Sequence, residues 1–148
     1  MTESPQNGLK LRPTNDYEAI RRLALASGLE DGTFQRTVAA FGYYLFDDLV
    51  GCASLNRDGE RYSVDWLAVA ERMRGKGLGD GLVGMIAKEA KRRGANRLWA
   101  LARAPEFFKR IGFRRIAADD GIGPELANCL ICRQYQKSCF PAIMIKDL

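Results

Sequence analysis

Arginines, a lysine and glycines are interleaved in one short segment of this sequence, residues 72–79. Glycines let the backbone approach a ligand closely and turn its N–H groups toward it. Cationic side chains beside such a backbone suit a polyphosphate, so the segment has the composition of an anion cradle. The cations are Arg72, Arg74 and Lys76, and the glycines are Gly75, Gly77 and Gly79.

The elements around the cradle must be a strand before it and a helix after it. Residues 64–69 read VDWLAV, an apolar run typical of a strand. Downstream, Leu78, Leu82 and Ile86 recur at helical spacing. The start of a helix adds N–H donors and the positive end of the helix dipole. The sequence therefore predicts an anion site on a strand, a loop and a helix.

Two common phosphate-binding motifs do not fit this segment. A P-loop ends in Lys followed by Ser or Thr, and no hydroxyl stands there to hold magnesium. A dinucleotide fingerprint follows the first strand and has an acidic residue about 20 positions later. Here the glycines lie in the middle of the chain and have arginines among them. An ordinary basic turn at the start of a surface helix is the simpler alternative.

The segment resembles the pyrophosphate loop of the GNAT superfamily of acyl-CoA-dependent N-acetyltransferases. Its pattern, Arg/Gln-x-x-Gly-x-Gly/Ala, is matched by Arg74, Gly77 and Gly79, and a strand ending in Leu-Ala-Val (67–69) precedes it as in the family. Downstream, the strand-like block LWALA is followed by APEFFKRIGF, which matches the family's later strand, aromatic pair and Gly-Phe in order and separation. The resemblance extends over residues 8–118.

The resemblance implies a mixed α/β (α+β) fold: a single N-acetyltransferase domain over residues 1–148, with helices flanking one sheet. Two parallel strands of that sheet would splay apart, and the pantetheine arm of acetyl-CoA would insert between them. Acetyl-CoA would be the co-substrate, with no metal required for the chemistry. The residues implied in acetyl-CoA binding are Leu67, Ala68, Val69, Arg74, Gly75, Lys76, Gly77, Leu78, Gly79, Phe107 and Phe108.

Acetyl transfer to an amine requires the amine to lose a proton, because an alkyl amine has a pKa of about 10. The chain has no histidine, so a carboxylate must act as base, or desolvation must deprotonate the amine. Asp65 lies just before the Leu-Ala-Val segment, where the resemblance implies an acidic base. Asp65 could instead face solvent or pair with an arginine.

The family's usual general acid is missing from the aromatic pair. A tyrosine often stands second in that pair, and Phe108 occupies the position here. Tyr62 or Tyr135 could replace it, water could supply the proton, or the thiolate could leave as such. Positioning of the substrates and N–H groups at the thioester oxygen would still accelerate the reaction.

The remaining elements are expected in the following order. A strand over Leu9–Arg12 precedes a helix from Asn15 or Asp16 to about Leu29, with Ile20, Leu23 and Ala24 buried. Thr33 caps a second helix, FQRTVAA; strands 43–46 and 49–55 follow, joined at Asp47-Asp48, and Asn56–Gly59 forms a turn. Gly94 is expected to end the helix after the cradle, and the chain returns as a parallel strand over Arg97–Ala102. The last predicted elements are a strand over Phe113–Ile116, a helix within Pro124–Gln136 and a strand over Ala142–Ile145.

By the resemblance, the N-terminal helix pair lines the acceptor side. Glu30, Asp31 and Phe34 are candidate substrate contacts there, although solvated loop charge explains the acids equally simply. An α-amino acid acceptor would need an arginine for its carboxylate, and the candidates are Arg36, Arg57, Arg61 and Arg103.

Three cysteines near the C-terminus have metal-like spacing. Cys129, Cys132 and Cys139 could bind zinc, stay as reduced thiols or form a disulfide, but a fourth zinc ligand is missing. Cys52, in an apolar strand, is expected to be a buried thiol. The Phe-Phe pair and this tail resemble the N-acetylglutamate synthase-like branch of the family.

Composition excludes several other classes of protein. The net charge of +5 over 148 residues is divided between the cradle and a helix face, without the aromatic-interleaved stripe of a nucleic-acid binder. No apolar run approaches the ~18 residues of a membrane span. The polar start lacks the pattern of a signal peptide, so we expect a cytoplasmic protein without nucleic-acid or membrane partners.

Together these features predict an acyl-CoA-dependent N-acyltransferase that acetylates the primary amine of a small molecule, such as glutamate or a related amino acid. A small-molecule amine would be its partner, and a homodimer is one possible assembly, since dimers are common in folds of this type. The alternatives are acetylation of a protein or peptide amine, and a non-catalytic acyl-CoA sensor, which the loss of the tyrosine at Phe108 suggests.

Overall fold

The fold is built on a seven-stranded sheet, described for residues 8–116 and 142–148 in a computed structural model. Its strands lie in the order β1-β2-β3-β4-β5-β7-β6. The strands are β1 (Leu9–Pro13), β2 (Thr37–Leu45), β3 (Asp48–Asp58), β4 (Arg61–Val69), β5 (Arg97–Ala102), β6 (Arg114–Ile116) and β7 (Ala142–Asp147). The helices are α1 (Tyr17–Ala26), α2 (Leu78–Arg92) and α3 (Pro105–Arg110), and a short 3₁₀ turn lies at Glu71–Met73.

The sheet is mixed, as the sequence predicted. The first four strands form an antiparallel meander, in which the predicted N-terminal strand β1 pairs with β2. The next pair, β4 and β5, is parallel, and β7 lies antiparallel between β5 and β6. The strand prediction at Arg97–Ala102 is confirmed, and the last strand runs on to Asp147.

Helix α1 begins where the sequence predicted and ends earlier. The side chain of Asp16 accepts a hydrogen bond from the backbone N–H of Ala19, so Asp16 is the N-cap. The helix ends at Ala26 rather than near Leu29, because Gly28 takes a left-handed backbone conformation with φ +93°. Ile20 and Ala24 are fully buried on its sheet-facing side.

The second helix predicted after Thr33 does not form. Residues Thr37–Leu45 are strand β2, which pairs with β1 on one edge and β3 on the other. A seven-residue segment is too short for a helix that is stable by itself, whereas a strand with two neighbours satisfies its backbone polar groups. The β-branched and aromatic residues of this segment also favour a strand.

The predicted turns at both ends of β3 are displaced. The tight hairpin lies at Phe46 and Asp47, with Asp48 already in β3. The prediction of a turn over Asn56–Gly59 is wrong. Strand β3 continues through Asp58, and the chain turns at Gly59 and Glu60. Gly59, with φ +63°, supplies the left-handed residue of that turn. Asn56 is consequently a buried strand residue with 8% exposure.

The two faces of the sheet are covered by different helices. Helix α2 packs on β2, β3 and β4, and the core beneath it includes Leu55, Leu82 and Ile86. Helix α1 packs over β3 and β4 on the opposite face, against Ala40 and Trp66. Neither face can be removed from water by one helix alone, so the strands between the helices hold both cores together.

Some predictions concern residues that the structure does not describe. The helix within Pro124–Gln136 and the three tail cysteines lie outside the described residues. Among residues 8–116 and 142–148, no helix is long and apolar enough to cross a membrane.

Candidate active site

The cradle predicted from sequence is a turn that needs glycine at two positions. After β4 and the 3₁₀ turn, Arg74 is extended, and Gly75 and Gly77 both have left-handed φ angles of +77° and +83°. Side chains with a Cβ rarely adopt this conformation, so the backbone here depends on glycine. Gly77 is the N-cap of α2, and Leu78 is buried, which anchors the loop to the core.

The first turn of α2 presents its N–H groups to the loop side. The first helical hydrogen bond runs from the N–H of Gly81 to the carbonyl of Gly77, at 3.1 Å. The N–H groups before Gly81 have no acceptor within the helix, and a helix start with free N–H groups has the geometry that binds anions in other proteins. Gly79 permits a close approach of α3, because a Cβ there would lie 3.2 Å from the ring of Phe107.

The two parallel strands diverge beside this turn. Strand β4 pairs with β5 only from Tyr62 to Val64, opposite Leu98 to Ala100, and the later residues of the two strands are not paired. Trp66 has a left-handed φ of +51°, and the register of β3 with β4 shifts at the same level. This β-bulge bends β4 away from β5 and gives the splayed pair that the resemblance implied.

A cavity of about 590 Å³ lies at this divergence. The end of α1 and the turn after it, the second half of β4, the glycine loop, the first turn of α2 and helix α3 all contribute to it. Its lining residues are Ser27, Leu29, Leu67, Ala68, Val69, Met73, Arg74, Gly75, Gly77, Leu78, Gly79, Asp80, Ala104, Phe107 and Arg110.

Most of the predicted acetyl-CoA-binding residues lie in this lining, from three separate parts of the chain. The exceptions are Lys76, whose side chain is exposed in the same loop, and Phe108. The ring of Phe108 is buried in the core and makes edge contacts with Phe107 and Phe113, at 5.1 Å between centroids in each case. Phe108 therefore lies on the core side of Phe107 and supports the ring of Phe107 in the cavity lining.

Several lining residues were missed by sequence analysis. Ser27 and Leu29 follow α1 and reach the cavity only because α1 packs beside β4. Asp80 and Arg110 also line it and form an ion pair, with 3.4 Å between the carboxylate and the guanidinium. Pocket residues contributed by packing carry no local motif. The family resemblance of the Phe-Phe block could have pointed to Arg110, three residues beyond Phe107.

Arg74 contacts the strand before it rather than solvent alone. Its Nε donates a hydrogen bond to the carbonyl of Val69, at 3.1 Å. The bond spans the base of the glycine loop and ties the loop to the end of β4. The guanidinium remains exposed beyond this contact, so it can also meet an anion in the cavity.

Asp65, the predicted base, lies at the apex of the divergence and not in the cavity lining. It is the first β4 residue beyond the last pair with β5. The backbone N–H of Trp66 donates to its Oδ1 at 2.8 Å, and the amide of Asn56 donates to its Oδ2 at 3.1 Å. Its partner across the ladder is Ser54, which lies opposite Ala40 of the α1-side core. Asp65 thus faces the α1 side.

Of the two tyrosines proposed as replacements for the missing acid, Tyr62 is not part of the cavity lining. Tyr62 is 6% exposed, in the core under α2, with the guanidinium of Arg57 over its ring. Tyr135 lies outside the described residues. Tyr43 packs against the first turn of α2 near Gly81, and burial raises the pKa of its hydroxyl.

Two of the three candidate acceptor contacts, Asp31 and Phe34, are already engaged with the protein. Asp31 pairs with Arg21 at 2.8 Å, and hydrogen bonds from Arg21 and the N–H of Gly32 lower the pKa of Asp31. Phe34 stacks between the rings of Tyr17 and Trp66. These residues brace the turn between α1 and β2, which forms one side of the cavity.

The four candidate arginines differ in where they lie. Arg36 pairs with Asp58 at 3.3 Å, and Arg103 donates to the carbonyl of Gly28 at 3.0 Å. Arg57 donates to the carbonyl of Gly59, and Arg61 lies over the ring of Trp99. Arg103 is the one of these four that bridges β5 to the turn beside the cavity.

Cys52 is a buried thiol, as predicted. Its Sγ donates to the carbonyl of Trp66 at 3.2 Å, and burial raises the pKa of the thiol to about 12. Within the described ranges, no three metal-ligating side chains are grouped in a way that could hold a metal ion.

The family is shown by comparison with known proteins. Residues 10–113 match the model of the Acetyltransferase (GNAT) family. This chain therefore belongs to the GNAT family, acyl-CoA-dependent N-acetyltransferases whose co-substrate is acetyl-CoA. No curated protein is similar enough in sequence to match.

Solved structures with the same fold are distant in sequence. N-acetylglutamate synthase from Neisseria gonorrhoeae, complexed with coenzyme A and N-acetyl-glutamate, is 20% identical with a TM-score of 0.77, covering 95% of this chain and 35% of the synthase chain. Rv2747 from Mycobacterium tuberculosis, in complex with CoA, is 21% identical with a TM-score of 0.75, over 94% of this chain and 99% of its own. Nourseothricin acetyltransferase is 20% identical with a TM-score of 0.65, and the match covers 95% of this chain and 98% of the acetyltransferase chain. At these identities the likeness establishes the fold.

Proposed function

We propose that this chain transfers the acetyl group of acetyl-CoA to the primary amine of a small molecule, acting as a single domain. The observation that carries the proposal is the cavity where β4 and β5 diverge. It is lined by the glycine loop at the start of α2 and by the unpaired side of β4 from Leu67, two residues beyond Asp65. A long ligand with a polyphosphate at one end and a reactive group at the other matches that arrangement.

In this proposal the pyrophosphate of acetyl-CoA lies in the cradle. The N–H groups of the first turn of α2 and the guanidinium of Arg74 would face it, with Lys76 close by in the same loop. The pantetheine arm would lie along Leu67–Val69, whose backbone is not paired with β5. The amide groups of the arm would make the hydrogen bonds that β5 does not make with this part of β4. Phe107 would pack against the apolar part of the arm.

The reaction then takes place near the apex. The amine nitrogen attacks the thioester carbonyl, a C–N bond forms, and the C–S bond breaks. Asp65 would accept the proton of the amine, directly or through a water molecule. The sulfur leaves as a thiolate or takes its proton from water, because Phe108 has no proton to give and is buried.

The acceptor in this proposal is a small molecule with a primary amine. An amino acid such as glutamate is the first acceptor to test, since a structure of the same fold is an N-acetylglutamate synthase solved with N-acetyl-glutamate. The cavity is bounded by the turn after α1, which suits a small acceptor better than an extended peptide. We place the protein in the cytoplasm, without nucleic-acid or membrane partners, and expect a homodimer.

A second candidate is a non-catalytic acyl-CoA sensor with the same cavity. Phe108 favours it, because a buried phenylalanine at this position cannot protonate the leaving thiolate. Both candidates require acetyl-CoA to bind, so binding alone does not distinguish them.

Turnover distinguishes the two candidates. CoA release from acetyl-CoA would be measured across amino acids, polyamines, aminoglycosides and lysine peptides, and the acetylated product identified by mass spectrometry. Turnover on one small-molecule class supports the proposal, whereas turnover on peptides alone favours a protein acetyltransferase. Acetyl-CoA binding without turnover on any acceptor supports the sensor, and an absence of binding contradicts both.

A further inference from the structure

A line of buried and half-buried polar side chains runs across three strands and ends at Asp65. The hydroxyl of Thr37 in β2 donates to Oδ1 of Asn56 at 2.9 Å, and the hydroxyl of Ser54 donates to the same oxygen at 3.0 Å. On its other side, Nδ2 of Asn56 donates to Oδ2 of Asp65 at 3.1 Å. Ser54 is fully buried and Asn56 is 8% exposed.

The chemistry of the groups fixes the direction of this line. A carboxylate only accepts hydrogen bonds, so the amide must turn its NH₂ toward Asp65. Its oxygen then faces the two hydroxyls, both of which can donate to it. The two hydroxyls therefore hold the amide oxygen of Asn56, and this fixes the amide in the orientation that presents its NH₂ group to Asp65.

The strand register makes the line possible. Thr37 lies opposite Asn56, and Ser54 lies opposite Asp65. The polar residues would otherwise be costly on a buried sheet face, because an unpaired buried hydroxyl or amide loses its hydrogen bonds to water. Each of the four side chains here has a partner, and the line ends on a carboxylate at the divergence of β4 and β5.

We propose that Asn56 is a positioning residue, which holds the carboxylate of Asp65 at the apex in the orientation that receives the acceptor's proton. This inference rests on the proposed role of Asp65 as base. The N–H of Trp66, at the bulge, holds the other oxygen. Two fixed donors leave the carboxylate little freedom to rotate away from the acceptor.

The test replaces Asn56 by alanine and compares kcat with the KM for acetyl-CoA. We expect kcat at neutral pH to fall about tenfold or more, the effect of one hydrogen bond to a charged group, while the KM changes little. The deficit should shrink as the assay approaches the amine pKa of about 10, where the free amine needs no base. The matched control is Asn96→Ala, in the exposed turn before β5, which should behave as wild type.

Other charged groups on the same face must stay unchanged for this comparison. They are Arg61 in β4, Asp58 in β3 with its partner Arg36, Arg103 after β5, and Glu18 and Arg21 on α1 with Asp31. These groups are the same in wild type and variant, so the ratio of the two rates at each pH reports the change at Asn56.

A second variant keeps the test decisive where Asn56→Ala fails to fold. Ser54→Ala combined with Thr37→Val removes both hydroxyls that orient the amide, and should give the same loss of kcat with the same recovery at high pH. If Asp65→Asn is impaired but these variants are as active as wild type, or lose equal activity at every pH, the positioning role of Asn56 is wrong. If Asp65→Asn is fully active, the base assignment itself fails.

Discussion

Asp65 accepts two hydrogen bonds through separate oxygens, and this constrains what the residue can do. A carboxylate accepts hydrogen bonds and does not donate them, so N–H donors at both oxygens suit the ionised group. Such a group can accept a proton and is fixed in direction. Asp65 is the first residue of β4 beyond the last pair with β5, which puts that fixed carboxylate at the divergence of the two strands.

Replacing Asp65 by asparagine removes the charge and nearly preserves the shape. We expect kcat at neutral pH to fall about 100-fold or more, the typical contribution of a general base, with the acetyl-CoA Kd unchanged. Steady-state kinetics and calorimetric binding measure the two quantities, and Asp47→Asn at the exposed hairpin tip is the matched control. A variant with wild-type kcat would exclude Asp65 as the base.

Cys52 gives a prediction about alkaline pH. Burial raises the pKa of its thiol to about 12, whereas a thiol in the unfolded chain has a pKa of about 8.5. Between these values only the unfolded state is ionised. The stabilisation is therefore fully present below the unfolded pKa and is lost as pH rises toward the folded pKa.

The change that tests this is Cys52→Ala. Above about pH 9, the free energy of unfolding of the wild type should fall more steeply than that of the variant, by up to about 1.4 kcal/mol per pH unit. Urea titrations at several pH values measure both slopes. Equal slopes would show that ionisation of Cys52 in the unfolded chain does not cause the loss of stability at alkaline pH.

At the scale of elements, the glycine loop joins a bulged strand to a helix and depends on two left-handed residues. A Cβ added at Gly75 or Gly77 would have no heavy atom within 4 Å, so the role of these glycines concerns the backbone and the ligand rather than protein packing. This combination of left-handed backbone and open surroundings is what close approach to a phosphate requires.

Gly77→Val should therefore affect ligand binding and stability separately. The left-handed backbone costs a side chain about 1–2 kcal/mol, and the valine would also occupy the space beside the N–H groups of α2. The control is Gly59→Val, which has the same type of φ, +63°, and equally open surroundings, but lies in the β3–β4 turn. We expect both variants to lose stability and only Gly77→Val to lose acetyl-CoA affinity, measured by calorimetry. Equal affinities would contradict the cradle.

At the scale of the whole molecule, the cavity is assembled from the turn after α1, β4, α2 and α3, which are brought together by the sheet. A ligand that fills it must contact all four at once. Such a ligand binds the folded chain and not the unfolded one, so it stabilises the fold as a unit.

Acetyl-CoA should accordingly raise the thermal midpoint of unfolding. At a concentration about 100 times its Kd, the expected stabilisation is about 2.7 kcal/mol, or a rise of roughly 5–10 °C for a chain of this size. Differential scanning calorimetry measures the shift, which should persist in Gly59→Val and vanish in Gly77→Val. A wild-type midpoint independent of acetyl-CoA would contradict the binding site.

The sequence by itself determined the features that depend on local backbone chemistry. The glycines of the loop, the apolar spacing of α2, the Asp16 cap and the parallel strand at Arg97–Ala102 were predictable because each is specified by residues close in the chain. The family motif added the divergence of β4 and β5 and the cavity side chains from Leu67 to Gly79.

Tertiary structure decided the features that depend on partners distant in sequence. Thr37–Leu45 is a strand because two neighbouring strands satisfy its backbone, and Asn56 is buried because the register with β2 and β4 gives its amide partners on both sides. Packing of distant elements also decides the cavity lining, since it brings Ser27, Leu29 and Arg110 together there. Hydrogen-bond partners and packing neighbours from other strands outweigh a short segment's own preference, and a sequence pattern carries no record of them.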